Sequence, residues 1–259
     1  MRTTGTRPTD VISTGPRPAG TRPAAAAATA ATAATLFALT ALTGCLPGGD
    51  SGPFAGLSAS KVADKSVTAL RTASSLTVKG TVRDEGKPMR LDMAVSKSGD
   101  CKGSISMADQ GSFEVIRNAD YVYIKADEAF YRTQVNDLPK DQADAAVAML
   151  AGHWVKSKAA GEDSKELSAL CDLDELTKEF DDSSGAKKGK VVKEGGQDAL
   201  TLTTSTTDGT EELYVATHGT PYLLRAVETG KEPSDISFSG FNEPVKAEAP
   251  TGDVVDADG

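Results

Sequence analysis

Histidine is almost missing from this chain: His153 and His218 are the only two among 259 residues. Neither belongs to a His-x-x-x-His or Glu-x-x-His spacing, and no Cys-x-x-Cys occurs. Zinc and its neighbours need clustered imidazole or thiolate ligands, so no metal site is expected. A Gly-x-Ser-x-Gly elbow and a phosphate-binding loop are also lacking. Asp172, Asp174 and Glu175 are read as a solvated helix face, and His153 beside Trp154 as a strand edge. Neither a catalytic residue nor a cofactor is expected, and the chain is read as a non-enzyme. Basic charge is scarce as well, with 28 Lys and Arg against 37 Asp and Glu. A chain this acidic has no electrostatic footprint for nucleic acid. Aromatics make up only 5 % of the residues, so any ligand pocket is expected to be aliphatic.

What is present begins with a leader. Arg2, Arg7, Arg17 and Arg22 precede an uncharged stretch from Ala24 to Leu42, whose most apolar piece is Leu36-Phe37-Ala38-Leu39. A basic region, an apolar region and small residues are the layout of a secretory signal. The Ala- and Thr-rich stretch is weakly apolar for a membrane-spanning helix, which needs about 20 predominantly apolar residues. No Arg-Arg pair occurs, which favours the general secretory route. The stretch closes on Leu42-Thr43-Gly44-Cys45, which resembles the lipobox of bacterial lipoproteins. That resemblance implies removal of residues 1–44 and a diacylglyceryl thioether on Cys45, with palmitate-type acyl chains. Two chains matter, because one gives only marginal anchoring at about 0.8 kcal/mol per buried CH₂. The expected location is the extracytoplasmic face of the cell membrane. The remaining 215 residues carry a net charge of −12, against −9 for the whole chain, once four arginines and Asp10 are removed. Anionic headgroups repel such a domain, so attachment is expected to come from the lipid.

Residues 45–57 are rich in Gly and Pro and read as a flexible tether. Ser58 or Ser60 is a plausible N-cap, and Ala59, Ala63, Val67, Leu70 and Ala73 form one helical stripe to about Ser74. Period-two alternation then gives five strands between Leu76 and Lys125, separated by tight turns such as Asp84-Glu85-Gly86-Lys87-Pro88. Helices are expected over 128–135 and 141–150, followed by an extended piece at His153-Trp154-Val155-Lys156. Leu167, Leu170, Leu173, Leu176 and Phe180 recur at helical spacing, with a break near Cys171-Asp172. Strands return at 187–193, 198–206, 211–216, 222–228 and 235–241, and the Thr-rich run from 201 to 207 reads as strand rather than as a glycosylated segment. Residues 249–259 read as a disordered tail.

With Cys45 taken by lipid, Cys101 and Cys171 remain. Two cysteines in an exported domain read as a disulfide. It closes a loop of about 70 residues, worth roughly 4 kcal/mol on the chain-entropy view. The pattern of strand runs apart from helices is α+β. About 11 antiparallel strands cannot stay flat, so a strongly curved sheet wrapped around helices is expected.

The ordered domain, 58–248, resembles the LppX/LprG-like lipoproteins of actinobacteria, which have the LolA-like fold. The likeness is carried by the lipobox at Cys45, by Leu76-Thr77-Val78-Lys79-Gly80-Thr81-Val82 and by Asn118-Ala119-Asp120-Tyr121-Val122-Tyr123-Ile124-Lys125. Gly152-His153-Trp154-Val155-Lys156, Pro221-Tyr222-Leu223-Leu224-Arg225, and Ile236-Ser237-Phe238-Ser239-Gly240-Phe241 followed by Pro244-Val245 complete it. The resemblance implies a half-barrel around helices with an apolar cavity for acyl chains. It also implies carriage of a lipid or lipoglycan between envelope layers. The expected lining is Val67, Leu70, Met89, Leu91, Met93, Ile105, Met107, Val115, Tyr123, Leu202, Leu213 and Leu224. Methionines among them suit variable apolar ligands. The alternative is a cell-surface interaction or sensor module whose core is filled by its own side chains.

Overall fold

The computed structural model describes residues 52–84, 86–161, 164–178 and 185–258. The leader, Cys45 and Phe180 lie outside the described residues. Helix α1 (Ala59–Thr72) starts at Ser58, whose Oγ accepts a hydrogen bond from Lys61 N at 3.3 Å. Its buried stripe includes Ala59, Val62, Ala63, Val67 and Leu70, and basic Arg71 lies in the last turn. There follow β1 (Ser75–Asp84), β2 (Lys87–Ser96), β3 (Cys101–Met107), β4 (Gly111–Arg117) and β5 (Tyr121–Ala126). The insert comprises α2 (Glu128–Gln134), α3 (Lys140–Leu150), β6 (Trp154–Lys158), α4 (Lys165–Leu170) and α5 (Leu173–Leu176). The second run is β7 (Lys187–Glu194), β8 (Gln197–Ser205), β9 (Gly209–Ala216), β10 (Leu223–Gly230) and β11 (Ser234–Ser239), with β12 (Val254–Asp256) near the end.

All twelve strands form one open α+β sheet, ordered β12-β6-β5-β4-β3-β2-β1-β11-β10-β9-β8-β7. Two antiparallel meanders meet where β1 pairs with β11. At that seam a Cβ on Gly80 would collide with the carbonyl of Asp235, so only glycine lets the two strands close. The register puts Leu76 and Val78 on the same face as Val95 and Met93, and places Phe238 opposite Val78. That face carries the helices and the main apolar cluster. Helix α1 lies against β7, β9 and β10, and α2 against β4.

Two local departures from the sequence reading, and one agreement with it, have physical causes. The tether expected over 45–57 is docked at its end: Phe54 and Leu57 pack on the core, and Lys188 Nζ donates to Phe54 O at 3.0 Å. Two apolar side chains among the glycines are enough to hold it. The tail expected to be disordered contains β12, which runs parallel to β6. One acid is met by a lysine and another by a backbone amide: Lys156 Nζ lies 2.6 Å from Asp256 Oδ2, and the main-chain N of Lys158 donates to Asp258 Oδ2 at 2.8 Å. The Leu-rich helix is divided between α4 and α5, where Asp172 Oδ1 accepts from Asp174 N and Glu175 N. That break falls at the Cys171-Asp172 position read from the sequence.

Candidate functional site

Strand alternation sorts the expected cavity residues by face. Met89, Leu91 and Met93 of β2 stand opposite Met107, Ile105 and Gly103 of β3, and Gly103 stands opposite Val115 of β4. Leu202 of β8 pairs with Leu213 of β9 on the same helix-covered face. Leu70 meets this cluster from α1. Val67 is also buried on α1.

Two expected lining residues belong elsewhere. In β5 the register sends Val122, Ile124 and Ala126 inward, so Tyr123 faces the other side, opposite Ile116. Leu224 sits at a bulge between Leu223 and Arg225. It joins Ala199 and Ala216 in a second small cluster, with Tyr214, Tyr222 and Phe241 packed on it. Leu223, not Leu224, contributes to the main cluster.

The inner face is unevenly filled. Leu70, Val115, Leu202 and Val215 are at most 1 % exposed. Met89, Leu91, Met107 and Ile124 are only partly buried, as are Phe130 and Tyr131 of α2, which the sequence reading missed. Phe130 packs on Phe113 with ring centroids 5.2 Å apart. Their signal was Phe and Tyr in adjacent positions just after an Asp cap. Asp127 caps α2 by accepting from Phe130 N at 2.8 Å and also accepts from Ser112 N and Oγ. Desolvation pushes the Asp127 carboxyl up, but these hydrogen bonds win and hold it below the ordinary carboxylate range. Burial pushes the Tyr131 phenol up.

A disulfide joins Cys101 in β3 to Cys171 after α4, with Cα atoms 5.4 Å apart. It lies in the main cluster, and both cysteines are almost fully buried. The insert is thereby fastened to the inner face of β3.

On the opposite face, residues 240–247 cross the sheet. Asn242 N donates to Ser75 O, Ser75 Oγ donates to Glu243 O, and Asn118 Nδ2 donates to Ala247 O. Beneath this strap is a groove of about 660 Å³ with Trp154, Ile116, Asp92 and Glu114 in its lining. It is mixed in polarity and lies on the face away from the expected acyl cavity. Among the described residues, no group of three or more His, Cys, Asp or Glu is placed to hold a metal ion. None of the described helices is long and apolar enough to cross a membrane.

No protein-family model and no curated protein matches the sequence. Solved structures do resemble it. LprF from Mycobacterium bovis aligns over 75 % of this chain and 97 % of its own, at 15 % identity and a TM-score of 0.53. The lipoprotein LppX from Mycobacterium tuberculosis aligns over 73 % of this chain and 98 % of its own, at 16 % identity and a TM-score of 0.47. The open sheet of twelve strands with helices on one face thus has the LolA-like α+β architecture, and the resemblance to the LppX/LprG-like lipoproteins holds at the level of the fold.

Proposed function

We propose that this chain is an exported lipoprotein, acylated at Cys45, that binds a lipid or lipoglycan against its helix-covered face and passes it across the envelope. It acts as a binding and carrier protein rather than an enzyme. The observation that carries the reading is the incomplete cover over Met89, Leu91 and Met107. An aliphatic surface joined to the core yet not sealed by it suits an acyl chain, and methionine adapts to different chains. The fold shared with LprF and the lipobox-like Leu42-Thr43-Gly44-Cys45 support it.

A second reading has its own observation. Leu70, Met93, Val115, Leu202 and Leu213 bury one another almost completely, as expected of an interaction or sensor module with a self-filled core. Native mass spectrometry of the mature domain separates the two. Co-extracted lipid, or uptake of labelled lipid that Met107→Ala and Leu91→Ala weaken, is the expected result. Preparations that stay lipid-free and take up none would leave the sensor reading. Anchoring is tested apart from cargo: Cys45→Ala should leave uncleaved precursor or a soluble form. A membrane-bound, mature-sized Cys45→Ala product would remove Cys45 as the anchor.

A further inference from the structure

A recess of about 420 Å³ opens on the helix-bearing side of the sheet, between the β2–β3 turn, the end of β4 and the α4–α5 pair. Two residues that line it, Arg117 and Ser168, each carry a buried polar atom, Nε and Oγ, with no hydrogen-bond partner among the described residues. They come from different elements, β4 and α4, yet share one cavity. Buried polar groups in folded proteins are satisfied nearly without exception, so such a pair calls for a partner. The guanidinium is always charged and its Nε–H can only donate. The serine hydroxyl can donate as well. An oxygen acceptor would complete both, and beside a guanidinium a negatively charged one makes the stronger bond.

We infer that this recess is an anion site for the monoanionic oxyacid group, phosphodiester or carboxylate, of a lipid headgroup. The assignment of source rests on the lipid-binding reading above. Arg117 stands opposite Cys101 in the sheet, on the helix-covered face. Its Nη1 donates to the carbonyl of Gly99, which orients the fork. Gly99 has φ of 83°, and a Cβ there would collide with the guanidinium, so the turn is shaped around this side chain. The Cys101–Cys171 disulfide fastens the end of α4 to β3 and thereby fixes Ser168 relative to Arg117. Lys97 adds a second cation on the same lining.

Carboxylates on the far wall set the charge limit. Asp172 is held as the cap of α5, and Glu175 is paired with Lys178 at 2.5 Å. Asp174 also lines the recess. These groups oppose a dianionic phosphate monoester more strongly than a monoanion. Cys171 and Leu173 belong both to the recess and to the main apolar cluster. The recess therefore abuts the apolar core at these two residues.

The test uses the mature chain with its disulfide intact and three probes: phosphatidylglycerol, a diacylglycerol with the same chains, and dimethyl phosphate. Wild type should bind phosphatidylglycerol at least tenfold more tightly than the diacylglycerol. Arg117→Gln should erase that preference, a loss of about tenfold to a hundredfold, as expected for hydrogen bonds to a charged group. Arg117→Lys keeps the charge without Nε and should recover only part of it. Ser168→Ala should weaken phosphatidylglycerol several-fold while leaving the thermal midpoint unchanged, because the hydroxyl it removes has no partner among the described residues. If Arg117→Gln fails to fold, Ser168→Ala and Lys97→Gln carry the test. Equal binding of both lipids with no response to these variants would overturn the anion site and leave the lipid reading standing. Binding of dimethyl phosphate with the same Arg117 dependence, but of neither lipid, would uphold the anion chemistry and overturn the headgroup source. Binding of none of the three would overturn the site, with water as the partner of both atoms.

Discussion

The two halves of the sheet are covered by different means. Over β8–β10, α1 seals the inner face, and Leu202, Val215 and Leu223 are at most 1 % exposed. Over β2–β4, cover comes from α2, which has no buried residue of its own, and from an insert fastened by one disulfide. There the strands keep unbroken register, while Met89, Leu91 and Met107 remain partly exposed. Packing holds the first region throughout; in the second, packing at Met93, Val95, Ile105 and Val115 is joined by a crosslink, a cap and a few aromatic contacts, and gives way toward Met89, Leu91 and Met107. A face sealed like β8–β10 has little room to yield, and one uncovered throughout has no stability to spare.

The largest expected effect comes from breaking the crosslink. Reduction, or the double change Cys101→Ser with Cys171→Ser, should cost about 4 kcal/mol for a loop of this length. Hydrogen exchange should show the loss as faster opening over β2–β4 and α4, with β8–β10 protected until global unfolding. Uniform acceleration across both halves would break the comparison. Next come paired truncations. Leu202→Ala should destabilise by about 3 kcal/mol, the usual cost of emptying a buried leucine site, and Leu91→Ala by roughly 1 kcal/mol, since its site is already open. Equal costs in urea unfolding would mean the two halves are packed alike.

Asp127 gives the smallest effect and the sharpest control. Asp127→Ala should cost about 1 kcal/mol through the lost cap of α2. Its folded-state pKa is depressed, so its contribution is complete above the unfolded carboxylate value of about 3.9 and disappears as pH falls through the lower folded value. Asp127→Asn keeps a capping side chain and should flatten that acid limb. An unchanged limb would place the acid sensitivity of α2 elsewhere.

Much of this architecture was legible because period-two runs were punctuated by turn residues. The strands from Leu76 to Lys125 and the second run from Lys187 sit where alternation put them. The site was less legible. In Tyr121-Val122-Tyr123-Ile124 every side chain is largely apolar, so parity alone did not say that Tyr123 faces outward. In Leu223-Leu224 one bulge decides which leucine enters the core, and a bulge leaves no mark in composition. The strand at Val254–Asp256 was hidden by its acid Asp256, whose partner Lys156 lies about a hundred residues earlier.

An open sheet ends in two rows of unsatisfied peptide groups, and here each row is of a different kind. The outer strand on one side, β7, carries Lys187, Lys190 and Lys193 and an irregularity between Lys188 and Val191 that Thr201 Oγ1 bridges through Lys190 N and O. The other, β12, is three residues long. Charge and a kink on one side, and brevity on the other, deny a neighbouring copy the long, flat template that strand addition requires. A broad open sheet can therefore persist without seeding fibres.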